Sequence, residues 1–137
     1  EADAYRIIKS RCGDYLCYSQ YWVGSIGRWH TLNHTSHLEG WQVLKHTHGE
    51  LGLTAAAGQH VMLACPNATV GSQQTAQMME DDILTQRIPI VDSPRWGRID
   101  KPGLGVEVDE DKLMRYHEAY RKLGDFPTYA GKATATF

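Results

Sequence analysis

The first half of the chain switches repeatedly between helical and extended periodicity with links of only a few residues, and this limits the fold more than any other feature. Ala4, Ile7, Ile8 and Arg11 follow helical spacing within residues 2–12, and Gly13 sits where a C-cap belongs. Asp14 to Tyr18 reads as a short strand, and Ser19 to Gly24 as a loop rich in aromatics. Ser25 is suited to cap a helix that runs to about Leu38, with Trp29, Leu32 and Leu38 as its buried side and Gly40 as its stop. Trp41 to His46 is a second strand, His46 to Gly49 a turn, and Glu50 to Cys65 an Ala-rich helix ended by Pro66. Helix, strand, helix, strand, helix with short links predicts an α/β chain whose strands run parallel through right-handed crossovers. A (β/α) barrel and an open doubly wound sheet both obey that grammar.

The second half reads differently. Residues 67–77 are polar and ambiguous. Arg87 to Val91 and Trp96 to Asp100 look like two short strands around the turn Asp92-Ser93-Pro94. A last helix starts near Asp109, where Asp109, Glu110 and Asp111 suit a positive N-terminal end, and Gly124 stops it. The small, polar residues 125–137 are expected to fray.

Composition excludes several classes. With 42% hydrophobic and 22% charged residues in 137, the chain can bury a core and is neither disordered nor a disulfide-stapled mini-protein. A formal charge of −2 gives no footprint for nucleic acid or an anionic membrane, and no apolar run is long enough for a membrane span. Cys12, Cys17 and Cys65 are an odd number without metal spacing, which predicts reduced thiols and a cytoplasmic location. The chain opens Glu1-Ala2-Asp3 without an initiator Met or a leader, and the expectation is a fragment.

The residues best suited to chemistry are in Lys45-His46-Thr47-His48-Gly49-Glu50, at the C-terminal end of the second strand. His46 and His48 are two apart and share a side on an extended backbone. Imidazole is the group best matched to proton transfer near neutrality, although a His at a strand end is also a common hydrogen-bonded rim residue. His30, His34 and His37 share one helical face, where zinc could bind, but no His-Glu-x-x-His pattern accompanies them and a solvated face is favoured. Glu80-Asp81-Asp82 could be a metal site, but a solvated turn or helix start is the favoured reading. Gln73 and Gln74, after Gly71-Ser72, could bond a polar ligand or satisfy backbone. Gly103-Leu104-Gly105 lacks the third glycine and the strand-to-helix context of a dinucleotide site.

Two segments together resemble a known family. Asp81-Asp82-Ile83-Leu84, Trp96-Gly97-Arg98-Ile99 and Lys101-Pro102-Gly103-Leu104-Gly105-Val106-Glu107-Val108-Asp109 are similar to the C-terminal end of the enolase superfamily. The branch of mandelate racemase, muconate lactonizing enzyme and glucarate dehydratase is the nearest. Gly40-Trp41-Gln42-Val43-Leu44-Lys45-His46 resembles the seventh barrel strand, in which a Gly precedes a catalytic His by six residues, and Glu50 matches the position four beyond that His.

The resemblance implies the C-terminal portion of a (β/α)7β TIM-like barrel with a terminal hairpin and helix belonging to the capping region. Residues 1–85 would be the last βα units, 86–124 the hairpin and helix, and 125–137 the tail. It implies a fragment of a Mg2+-dependent lyase or isomerase that abstracts the proton α to a carboxylate, with a small carboxylate such as an acid sugar as substrate. His46 would be the catalytic acid or base, and Ser19, His48, Glu50 and Gln73 would contact substrate. The metal ligands end earlier strands and are not in this chain, so the chain alone is expected to be inactive, and the intact enzyme to be a homo-oligomer. One departure stands out. The family pairs the strand-seven His with an Asp at the end of strand six; the matching position here is Ser19, or Gln20 by the other count, and neither is acidic. Strand eight would fall at residues 69–75. Two alternatives remain open: a zinc hydrolase barrel using His46 and His48, and a non-catalytic family member or truncated fragment.

Overall fold

The computed structural model describes residues 2–47, 49–92 and 95–124. Helix α1 (Ala2–Ser10) leads into strand β1 (Tyr15–Tyr18), followed by α2 (Gln20–Val23), α3 (Ile26–Leu38), β2 (Gln42–Lys45) and α4 (Gly52–Leu63). Strands β1 and β2 are parallel, in a register from Tyr15↔Gln42 to Tyr18↔Lys45. A parallel pair cannot be closed by a tight turn, so α2 and α3 form the crossover between them.

The local chemistry explains the boundaries. Ser25 Oγ accepts the Arg28 N–H at 3.2 Å and starts α3. Gly24 and Gly40 both take φ of +83°, which ends α2 and reverses the chain before β2. The segment expected as a loop between β1 and Ser25 holds one helical turn, α2, because Gly24 N–H closes back on the Gln20 carbonyl at 2.8 Å.

The core lies between the strands and the helices. Ile8, Val23, Trp29, Leu32, Trp41, Val43, Val61 and Cys65 form one buried cluster. Polar groups cross it in pairs. Trp41 Nε1 donates to the Ile8 carbonyl at 3.1 Å, Tyr18 Oη to Asn33 Oδ1 at 2.8 Å, and Asn67 Nδ2 to the Trp41 carbonyl at 2.8 Å. Burial pushes the Tyr18 phenol above its ordinary pKa. On α3 the buried face is Trp29, Leu32, Asn33 and Ser36. Leu38, expected on that face, is 73% exposed. It stands nine residues after Trp29, half a revolution around the helix from it.

No strand forms at residues 69–75 among the described residues, contrary to expectation. The stretch lies along the free edge of β2 with broken pairing: the Asn67 carbonyl accepts Val43 N–H at 3.0 Å, Ser72 Oγ accepts Lys45 N–H at 3.1 Å, and Gln73 N–H donates to the Lys45 carbonyl at 2.9 Å. A side-chain oxygen replaces the backbone acceptor at Ser72, which interrupts the ladder. A 3-10 turn (Ala76–Met78) follows.

The last third is a hairpin and a helix. Strands β3 (Ile90–Asp92) and β4 (Arg95–Trp96) pair antiparallel, both shorter than expected, and residues 93 and 94 of the expected turn lie outside the described residues. Leu84 and Val108 form an isolated antiparallel bridge. Helix α5 (Glu110–Leu123) is capped by Asp109, which accepts Lys112 N–H at 3.0 Å, and ends at Gly124 with φ +77°. It buries none of its residues. The expected tail, 125–137, lies outside the described residues. No helix among the described residues is long and apolar enough to cross a membrane.

Candidate active site

Strand alternation sorts the residues of β2. Val43 and Lys45 are buried on the side of the helices, and Gln42 and Leu44 are half-buried on the other side. His46 follows directly and is half-buried. Its backbone N–H donates to the Tyr18 carbonyl at 3.0 Å, so it stands at the C-terminal ends of both parallel strands. The register that pairs Tyr18 with Lys45 brings Ser19 level with His46. Ser19 is 0% exposed, begins α2, and its hydroxyl has no hydrogen-bond partner. Gln20 donates from Nε2 to the Thr54 carbonyl at 3.3 Å, which ties the rim of β1 to α4.

The turn after His46 is held at several points. Thr47 Oγ1 lies 2.9 Å from Thr75 Oγ1, and Gly49 N–H donates to that same hydroxyl at 2.9 Å. Glu50 is buried and pairs with Lys45 through a charge-assisted hydrogen bond from Nζ to Oε1. The Lys45 ammonium also donates to Gln74 Oε1 at 3.2 Å and to the Gln73 carbonyl at 3.3 Å. Three acceptors thus serve its three protons. Burial lowers the Lys45 pKa, and the Glu50 carboxylate works against that shift.

The structure therefore sorts the expected substrate contacts. Ser19 is brought beside His46. Glu50 is engaged with Lys45 on the helix side. Gln73 is exposed, with its backbone bound to Lys45, while its neighbour Gln74 is the buried amide. His48 lies outside the described residues. The burial of Lys45 and its bond to Gln74 were not read from the sequence, although both residues stand in segments singled out there. The available signals were the shared parity of Lys45 with Val43 and Gly58 on α4, where an added Cβ would stand 2.4 Å from Lys45 Cε.

The other candidates are accounted for by structure. Asp82, 2% exposed, caps α4: its two carboxylate oxygens lie 3.0 and 3.2 Å from Gly52 N. Asp81 accepts from the Tyr116 hydroxyl at 2.7 Å and pairs with Lys112 and Arg115, joining α5 to the body. His30, His34 and His37 are exposed on α3, with the rings of His34 and His37 6.4 Å apart. Among the described residues no three His, Cys, Asp or Glu side chains are grouped so as to hold a metal ion.

Comparison with known proteins identifies the family. The family described as enolase C-terminal domain-like matches residues 1–112. An enolase from Streptomyces coelicolor superposes with a TM-score of 0.80 at 27% identity, over 91% of this chain and 33% of that one. An enolase from Pseudomonas fluorescens Pf0-1 with bound magnesium, potassium and tartrate gives 0.76 at 26% identity, over 88% and 29%. One from Thermobispora bispora DSM 43833, complexed with magnesium and formate, gives 0.76 at 25%, over 88% and 29%. No curated protein matches. The chain spans a third or less of the length of these structures. It belongs to the enolase C-terminal domain-like family, and so to the enolase superfamily.

Proposed function

We propose that this chain supplies the C-terminal part of a (β/α)7β barrel enzyme that removes the proton α to a carboxylate, with His46 as the acid or base. The observation that carries the reading is the position of His46 at the C-terminal ends of two parallel strands, the end at which barrel enzymes place catalytic groups. Residues 1–85 would be barrel units and 86–124 a hairpin and helix of the capping region. The magnesium, tartrate and formate of two relatives favour a small carboxylate, acid sugars among them, for the substrate. The reading also carries a cytoplasmic homo-oligomer for the intact protein.

The described residues do not fit a Mg2+ site, so the metal would take its ligands from other parts of an intact enzyme, and no step is assigned to it here. What this chain contributes is a proton carrier and its surroundings. A neutral His46 imidazole can accept the α-proton and return it to the same or another carbon. Ser19, level with His46, can orient an imidazole but adds no negative charge to stabilise its cation. We assign His48 and Gln73 to substrate contact, Glu50 to the support of the turn that carries His46, and the fully buried Ser19 to the packing beside His46.

The test is α-proton exchange by the full-length protein, with Mg2+ present, against a panel of acid sugars and other hydroxy acids in D2O. His46→Asn is expected to slow exchange by about 10²–10⁴-fold, the usual worth of a general acid or base. Equal exchange by the variant would remove His46 from the chemistry. The absence of an acidic residue at Ser19 favours a second reading, a family member that keeps the fold without the reaction; no exchange with any acid would select it. Family membership stands against the zinc hydrolase alternative.

A further inference from the structure

We propose that Lys45 and Glu50 form a positioning clamp that holds the turn carrying His46 from the far side of β2. The inference rests on the reading of His46 as the proton carrier. Lys45 and His46 are consecutive, so along the strand they face opposite sides. The ion pair between Lys45 and Glu50 joins the two ends of the turn and closes it into a ring. Both side chains are 1–2% exposed, so solvent does not compete for the contact.

The clamp is held mainly from the Lys45 side, since Glu50 Oε2 is buried with no hydrogen-bond partner. Lys45 is bonded through its backbone to Ser72 and Gln73 and through its ammonium to Glu50, Gln73 and Gln74. Its aliphatic stem crosses α4 at Gly58, where a Cβ would fall 2.4 Å from Cε and 2.9 Å from Cδ. Thr75 holds the middle of the turn through Thr47 and Gly49. A buried ion pair is a poor device for stability alone, because an apolar pair of the same volume usually serves as well or better. What it supplies that an apolar pair does not is direction: an ammonium with three acceptors has one orientation. Glu50 then fixes the start of α4 relative to β2, and the turn between them has little freedom left for the His46 imidazole.

Two variants of the full-length protein test this. Lys45→Met with Glu50→Leu removes both charges at similar volume and is expected to fold. Gly58→Ala leaves every polar group in place, improves helix propensity, and drives the Lys45 stem off its acceptors. Amide hydrogen exchange of the 46–50 segment, read by mass spectrometry, reports the turn, and α-proton exchange in D2O with the hydroxy acid that the native protein turns over, split into maximal rate and KM, reports the placement of His46. In both variants the segment is expected to exchange about tenfold faster, as for the loss of one hydrogen-bonded contact, with α3 unchanged, and the maximal rate of α-proton exchange is expected to fall about tenfold with KM held. Native exchange in the segment, or an equal acceleration in α3, overturns the proposal. If His46→Asn leaves α-proton exchange intact while the clamp variants loosen the turn, the acid–base reading fails and the clamp stands.

Discussion

Asp82→Ala should be among the most destabilising single changes outside the apolar core. Helix α4 begins after Leu51, which has no side-chain acceptor for the first amides of the helix. Asp82 reaches across thirty positions of sequence to supply one, taking Gly52 N–H on both oxygens and Ile83 N–H at 2.7 Å. An ordinary cap contributes about 1 kcal/mol, and up to about 2 in proteins. Here the acceptor is charged, and its removal leaves two amides unpaired at a site that was 2% exposed, which adds about 1–2 kcal/mol. The expected loss is about 3 kcal/mol, or roughly 10 °C in Tm for a chain of this size. Asp82→Asn keeps one acceptor oxygen and should lose about 1 kcal/mol. Urea unfolding followed by circular dichroism measures both, with an unchanged slope marking a true stability effect. A loss below about 0.5 kcal/mol for the alanine variant would refute the argument that a remote carboxylate caps α4.

The attachment of α5 should depend on acid. The Tyr116 hydroxyl, then the Asp82 amide, Lys112 and Arg115 hold the Asp81 carboxyl below the usual carboxylate range. A depressed folded pKa means that the contribution is complete above about pH 4 and is lost as pH falls toward the folded value. The gap in urea midpoint between the native chain and Asp81→Asn should therefore be constant from pH 7 to 5 and shrink below 4; a gap independent of pH down to 3 would contradict the assignment. Gly105→Ala should cost about 1–3 kcal/mol in the same assay, because φ is +70° and the new Cβ would lie 2.1 Å from Ile99 Cγ2 and 3.1 Å from the Lys101 carbonyl. A neutral result there would mean that the 101–105 turn re-forms at no cost.

What could be read in the sequence was what depends on neighbours along the chain. Ser25 and Asp109 were legible as caps because capping needs one oxygen and the next three amides. The parallel pair was legible because β1 and β2 are separated by a helix with short links. The family was legible because its two segments, around Gly40 to Glu50 and Trp96 to Asp109, carry their likeness locally. Where a contact comes from far away, the reading failed. Asp82 looked like part of a solvated acidic turn, yet its partner is Gly52. The family resemblance implied a strand at residues 69–75, but Ser72 replaces a ladder acceptor with its hydroxyl. Lys45 was given no role because the groups that permit its burial, Glu50, Gln74 and Gly58, are scattered along the chain.

The same alternation that hid Lys45 explains how a strand end can carry both support and chemistry. Consecutive residues of a strand cannot face the same way. A histidine that must remain accessible to a small molecule therefore has, as its immediate neighbour, a residue that faces the helical layer. An apolar residue there would pack β2 but would leave the following turn free to pivot. A lysine reaches past the strand to the acceptors of Glu50, Gln73 and Gln74, and couples strand, turn and helix at one atom. Its burial opposes its charge, and the carboxylate of Glu50 offsets that cost only while the turn stays closed. Opening the turn thus means separating a buried ion pair. The barrier to pivoting lies on the side of β2 away from His46, and under the proposed function it would leave a substrate unobstructed.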